Sequence, residues 1–429
     1  MTKPKSTSRM EANLPGPEDI HRQVLPNGIV VLCRSNFNSP SVVISGYIQA
    51  GSLFDSDEKL GLADFTARAL MRGTEKRDFQ QIFDALESCG ASLGISSGAH
   101  TTGFSGRALV EDLPLLMDLL AEAIRMPMFP QRQVEKLRAQ LLTGLAIRAQ
   151  DTSDMASLTF DQIVFENHPY SRPEDGWPQT IQAITRGDLV KFHQKHLGPR
   201  GMVIVIVGAV EAIQAFVQVE RVLGDWRNPR QPESPVLPPV RPLIQSVTRK
   251  VTIPGKFQSD LVIGASGPKR LDPEYIPASL GNSVLGQFGM MGRIGEVVRE
   301  RAGLAYYAYS SLNAGIGPGS WDVAAGVNPG NVEKAAGLIQ KEIARFVKKG
   351  VTADELADSQ ANFIGRLPLS LESNAGVANA LLNMERHNLG LDYYRRYPEM
   401  VKAVTPEQVV EVSRKFLHPD KLAIAVAGP

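Results

Sequence analysis

Cysteine is nearly absent: Cys33 and Cys89 are the two in 429 residues. So low a count leaves no disulfide framework to build, and free thiols suit a reducing compartment. An excess of one charge is also lacking. Lys and Arg total 46 against 45 for Asp and Glu, a formal net charge of +1. Nothing in that balance points to nucleic acid or to an anionic membrane surface. There is no uninterrupted apolar run of about 18 residues, the length a spanning helix needs. The N-terminal stretch carries Pro4, Pro15 and Pro17 and no apolar core of a secretion signal. Residues 1–19 therefore read as a disordered tail, and the protein is expected in the cytoplasm, with no membrane and no nucleic acid among its partners.

What is present is ordinary for a packed chain: 43% hydrophobic and 21% charged residues. The length calls for two or more domains. Residues 227–242 hold six prolines, which exclude a helix or a central strand there. The segment 227–243 should be an extended, semi-rigid linker. The sequence on either side of it repeats. Val190–Gly208 matches Val410–Gly428 at a constant offset of 220, pairing Leu197 with Leu417, Pro199 with Pro419 and Gly208 with Gly428. Gln140 and Gln360, and Ser153 and Ser373, fall on the same offset. Each copy reads as a helix, a proline turn and an apolar strand. A period this long is no solenoid. The expectation is α+β: two homologous domains, 20–226 and 244–429, each an antiparallel sheet with helices packed on one face.

Two motifs carry the chemistry. The first is Gly61-Leu62-Ala63-Asp64-Phe65-Thr66-Ala67-Arg68, continuing to Gly73-Thr74. It resembles the metal-binding helix of the pitrilysin, insulinase and mitochondrial-processing-peptidase family of zinc peptidases, whose frame is G-L-A-H-x-x-E-H. Two histidines at i and i+4 share a helical face and can reach one tetrahedral metal, and the glutamate before the second takes a proton from the metal-bound water. Here Asp64 stands at the first histidine, Ala67 at the glutamate and Arg68 at the second histidine. Arg68 has no lone pair to offer a cation. The resemblance places a third, acidic ligand on a downstream helix, where this chain has Thr143 and Gly144. All the ligands and the base are thus replaced, and no metal is expected on this chain. Asp64 and Arg68 read better as an i,i+4 ion pair.

The second motif runs from Gly286 through Gly289, Gly292 and Gly295 to Arg299, Gly303-Leu304 and Tyr306. The glycine spacing fits neither a P-loop nor a dinucleotide fingerprint; on its own it reads as a flexible loop entering a helix. The segment resembles the same family's glycine-rich stretch followed by R-x-x-x-G-L-x-Y. The resemblance implies that Arg299 and Tyr306 are catalytic, hydrogen-bonding the scissile carbonyl and steadying its oxyanion. It further implies that Gly286, Gly289 and Gly292 touch substrate, and that the strand carrying His100 is a sheet edge that pairs with extended peptides. Gly303 suits a sharp helix exit. His193 and His196 lie at i and i+3 with nothing spaced to complete a metal shell, and read as solvated helix histidines.

These features lead to one expectation: a zinc-free subunit of a heteromeric zinc metallopeptidase. A homologous partner with an intact H-x-x-E-H motif would hold the zinc, and this chain would supply oxyanion and substrate contacts to peptide cleavage. The family's two-domain, clam-shell architecture is implied with it. The alternatives are an inert structural core for assembly and a peptide-binding protein of the same fold.

Overall fold

The computed structural model describes residues 14–429, apart from 288–291. The chain forms two compact units, each assembled from three segments. The first comprises residues up to 145 with 173–236 and 367–396, and the second comprises 146–172, 237–366 and 397–429. Of the N-terminal stretch, residues 1–13 lie outside the described residues. Residues 14–19 are packed rather than loose: Leu14 is buried, its carbonyl accepts from Arg395, and Asp19 is ion-paired to Arg34.

The first unit holds a six-stranded sheet, ordered β1-β2-β6-β3-β5-β4. Its strands are β1 His21–Val24, β2 Val30–Ser35, β3 Ser41–Ile48, β4 Ser92–Ser97, β5 Thr102–Leu109 and β6 Val203–Gly208. The second unit repeats this order without the first strand: β7 Val247–Thr252, β11 Ala423–Gly428, β8 Ser259–Ser266, β10 Ser320–Val327, β9 Ala305–Leu312. The duplication read from the sequence is therefore a duplication of topology. The caps repeat as well. Thr185 and Thr405 each close a capping box, on helices Arg186–His196 and Pro406–Phe416.

Two features depart from the expected antiparallel sheet with helices on one face. β2 pairs with β6, and β7 with β11, in parallel, so both sheets are mixed. Both sheets are also covered on their second face. In the first unit one face packs on the cluster containing Val31, Cys33, Ile44, Ile204, Ile206, Met117 and Leu120. Helix Asn374–Arg386 lies across β6 and β3, where the alternate residues Leu32, Val203, Val205 and Val207 are buried in turn. In the second unit Ile263, Trp321, Val323 and Ile424 face a cluster with Ile339 and Phe346. Val262, Ala423, Ala425 and Ala427 face Ala156, Phe160, Ile163 and Val164 of helix Thr152–Val164. Each second-face helix comes from the half of the sequence opposite to the sheet it covers. That is why β6 and β11 are buried at every residue, the signature of a strand covered on both sides.

The proline-rich stretch forms no helix or strand from residue 231 to 243. Among the described residues, no helix is long and apolar enough to cross a membrane.

Candidate functional site

Helix Leu62–Ala69, here α1, begins where Gly61 turns at φ 90° and Asp55 caps the free amides, accepting from Gly61 N and Ala63 N at 3.0 Å each. Its exposed arginine folds back on its buried acid. Arg68 Nε donates to Asp64 Oδ1 at 2.9 Å and Oδ2 at 2.7 Å. Asp64 is 5% exposed, and burial pushes its carboxyl above the usual range, opposed by Arg68. Ala67 is buried and contributes no polar atom. The ion-pair reading of Asp64 and Arg68 agrees with this geometry.

Helix Gln131–Arg148 packs beside α1: the Arg138 guanidinium sits 5.2 Å over the Phe65 ring, and Arg72, just beyond α1, donates to Gln140 at 2.8 Å. Thr143 and Gly144 lie one turn further on. Thr143 is exposed and spends its hydroxyl on the Ala139 carbonyl at 2.9 Å, while a Cβ at Gly144 would meet nothing within 4 Å. These residues do not fit zinc. The Asp64 carboxylate is occupied by a guanidinium, and the downstream position offers a hydroxyl committed to its own helix. Among the described residues, no group of three His, Cys, Asp or Glu side chains is arranged to hold a metal.

The second motif is built differently. Helix Tyr275–Gly286 ends against β9, where a Cβ on Gly286 would collide with the Ser310 backbone. Gly292 turns at φ 62°, and a Cβ there would sit 2.7 Å from Gly286 N. These two glycines abut each other and serve close packing, not a loose loop; Gly289 lies outside the described residues. The segment expected to be a loop is helical up to Gly286, and from Glu296 to Arg301 it widens into a π-helical turn. Such turns recur at functional sites because the extra residue re-aims the side chains around it. Arg299 lies on that turn, its side chain 35% exposed and its nearest ion pair a loose 3.7 Å contact with Glu300. Gly303, at φ 62°, donates to the Arg299 carbonyl at 3.0 Å and closes the helix in a left-handed cap.

Tyr306 follows on β9, the edge strand of its sheet. β10 residues Gly326 and Val327 pair with Tyr307 and Ala305, so Tyr306 is the extra residue of a β-bulge. The residue is 66% exposed. Two irregularities of the backbone, a π turn and a bulge, thus lie under the two residues singled out in the sequence, and both side chains reach solvent.

The remaining candidates divide. β4 is indeed a sheet edge, but His100 sits in the turn between β4 and β5, not on the strand. His193 and His196 are not solvated. His193 Nε2 lies 2.8 Å from the Ile124 carbonyl, and His196 is buried between the rings of Phe54 and Phe192, at 4.4 and 4.6 Å. Burial lowers both, His196 to about 4. The missed signal is the apolar stripe Leu189, Phe192, His196, which puts His196 on the inner face of its helix.

Comparison with known proteins gives two matches along the chain. Residues 30–173 match the family model described as insulinase (peptidase family M16), and residues 183–363 match that of the peptidase M16 inactive domain. An uncharacterised zinc protease of Streptomyces coelicolor is 24% identical over 416 residues, covering 96% of this chain and 90% of the relative. The probable mitochondrial-processing peptidase subunit beta of Arabidopsis thaliana is 21% identical over 417 residues, covering 94% and 77%. Among solved structures, a peptidase M16 inactive domain from Pseudomonas fluorescens superposes with a TM-score of 0.88 at 27% identity, covering 96% of this chain and 98% of that one.

Proposed function

The chain belongs to the M16, or insulinase, family of peptidases, and on that premise we propose that it is the zinc-free subunit of a heteromeric zinc metallopeptidase. The observation that carries this reading is the contrast between its two motifs. The Asp64–Arg68 pair satisfies itself and has no use for a cation. Arg299 and Tyr306 remain solvent-accessible on a π turn and a bulge, without strong internal partners. A guanidinium offers fixed, permanently charged donors, and a phenol one O–H on a stiff ring. Aimed at a carbonyl oxygen that is gaining negative charge, such donors stabilise the tetrahedral intermediate. A homologous partner with an intact H-x-x-E-H helix would hold the zinc and activate the attacking water. The substrate class is unstructured peptide, taken up in extended form at a sheet edge. The cytoplasm is the proposed compartment.

The test is reconstitution. The chain alone, its zinc-bearing paralogue alone and the mixed pair are assayed for bound zinc and for cleavage of an unstructured fluorogenic peptide. Zinc should track the paralogue, and full cleavage should need both chains. Tyr306→Phe should slow the pair and leave its zinc in place. Stoichiometric zinc on this chain, or a mixed pair indifferent to both Arg299→Ala and Tyr306→Phe, would sink the proposal and leave an inert assembly subunit as the better account.

A further inference from the structure

Tyr306 is two-thirds exposed, so its own packing does little to fix its ring. What fixes it must be the strand beneath, and that strand is an edge with a ladder on one side only. The next residue is anchored unusually well. Tyr307 hydroxyl donates to Asp260 Oδ1 at 2.5 Å, and Asp260, 2% exposed on β8, gathers two further side-chain donors. Gln258 Nε2 donates to both of its oxygens at 3.0 Å, and Thr152 Oγ1 donates to Oδ2. Ser153 also hydrogen-bonds the phenol. The cluster is a built one. Gly326, opposite Tyr307 in the ladder, makes room for it: a Cβ there would stand 2.5 Å from the Tyr307 ring, 2.7 Å from Gln258 Nε2 and 3.0 Å from Asp260 Oδ1. Gly326 is also the residue at which the register shifts to create the bulge.

The corresponding place in the first unit lacks this device. By the shared topology and register, Val43 of β3 stands where Asp260 does and Ser92 of β4 where Tyr307 does. The incoming helix there is held by contacts that do not reach β4: Asn374 Nδ2 donates to Ser41 Oγ at 3.2 Å, Asn36 Nδ2 donates to Asn374 Oδ1 at 2.7 Å, and Arg22 of β1 pairs with Glu385 at 2.8 Å. Buried carboxylates with this many side-chain donors are costly to assemble and hold geometry tightly once satisfied. We infer that Asp260 is a positioning residue: through the Tyr307 hydroxyl, and with Thr152 from the other half of the sequence, it locks the bulge that aims Tyr306. The inference rests on the functional reading given above for Tyr306.

The experiment uses the complex of this chain with its zinc-bearing paralogue, the same fluorogenic peptide, and the variants Tyr306→Phe, Tyr307→Phe and the double variant. Tyr307→Phe removes one oxygen and keeps the ring, so folding is spared; the melting temperature and the zinc content check this. Turnover should fall about ten-fold with KM within about two-fold, as expected when a reacting group is slightly misplaced. The double variant should be no slower than Tyr306→Phe alone. Hydrogen exchange at amides 305–308 of the unmixed chain should speed up in Tyr307→Phe. Asp260→Asn, which keeps the shape and an acceptor oxygen, should retain more turnover than Asp260→Ala. If Tyr306→Phe is damaging and Tyr307→Phe is neutral, or if the two losses multiply, this inference falls and the functional reading stands. If Tyr306→Phe is itself neutral, the functional reading falls and takes the inference with it.

Discussion

The helix at 62–69 and the segment at 296–310 carry the two motifs that resemble those of zinc peptidases, and they are built in opposite ways. In the first, polar groups have turned inward onto each other: an arginine neutralises a buried acid, and a threonine bonds its own helix. In the second, the backbone is irregular and the side chains of Arg299 and Tyr306 reach solvent, while the neighbouring Tyr307 is bonded to a buried acid. An abandoned site is recognised less by missing ligands than by how completely the substitutes satisfy one another. On the proposed reading, the second site keeps donors that the fold itself does not consume.

The sharpest way to break this contrast is catalytic. Arg299→Ala in the mixed complex should cost about 10²–10³-fold in kcat, the loss typical of one oxyanion donor. Arg68→Ala should leave kcat within about two-fold, and a comparable loss from both variants would erase the distinction. Next in size is a pair of glycine substitutions read by chemical denaturation. Gly286→Ala forces a Cβ into the Ser310 backbone and should cost about 1–3 kcal/mol. Gly144→Ala, in open space on a helix, should instead stabilise by about 0.5–1 kcal/mol. The same substitution is thus expected to have opposite signs at the two sites.

Comparable in size but pH-dependent is the stability cost of Arg68→Ala. It strands the buried Asp64 carboxylate and should destabilise by about 1–3 kcal/mol at pH 7. The Asp64 carboxyl is already above its ordinary 3.8, and losing Arg68 raises it further. The folded variant then binds a proton more readily than the unfolded chain, so the deficit should shrink as pH falls through the folded pKa. Denaturation at pH 7 and near pH 4.5 measures this, and an undiminished deficit at the acid end would contradict it. Smallest is the contrast between buried titrating groups. His196 is held at about 4 against an ordinary 6.5, so the unfolded chain binds the extra proton and the first unit loses stability as pH drops from 6.5 towards 4. Asp322 in the second unit is pushed up to about 6 from 3.8, and its contribution runs the other way: present in acid, lost as pH rises through 6. Hydrogen exchange followed separately in β6 and β10 across this range should show the two units shifting in opposite directions. His196→Phe should flatten the first response.

Much of this was legible in the sequence. The Gly61-to-Arg68 frame, the offset of 220 and the Arg299–Tyr306 spacing are local or strictly periodic, and periodic signals survive without an alignment. The mixed sheets were not legible, because alternation within a strand carries no information about its neighbour's direction. The second-face helices were half legible. The unbroken apolar runs 203–208 and 423–428 announce burial on both sides. Nothing local says that the cover for each arrives from the opposite half. The bulge at Tyr306 left one trace, a glycine at 326 in an otherwise well-filled strand, which means something only once the partner strand is known. His196 was misjudged because its neighbours at i−4 and i−7, Phe192 and Leu189, were weighed less than its own polarity.

The exchange of helices Thr152–Val164 and Asn374–Arg386 bears on how the polypeptide comes into being. A nascent chain that has emerged only as far as residue 243 exposes β6 with one side bare, and it stays so until residue 386 is made. Cutting the proline-rich segment would yield two fragments that each hold the other's missing lid, rather than two free-standing proteins. Long-range closure of this sort slows folding and leaves apolar sheet uncovered while it waits. A molecule so constructed has reason to depend on chaperones early in its life, whatever its later task.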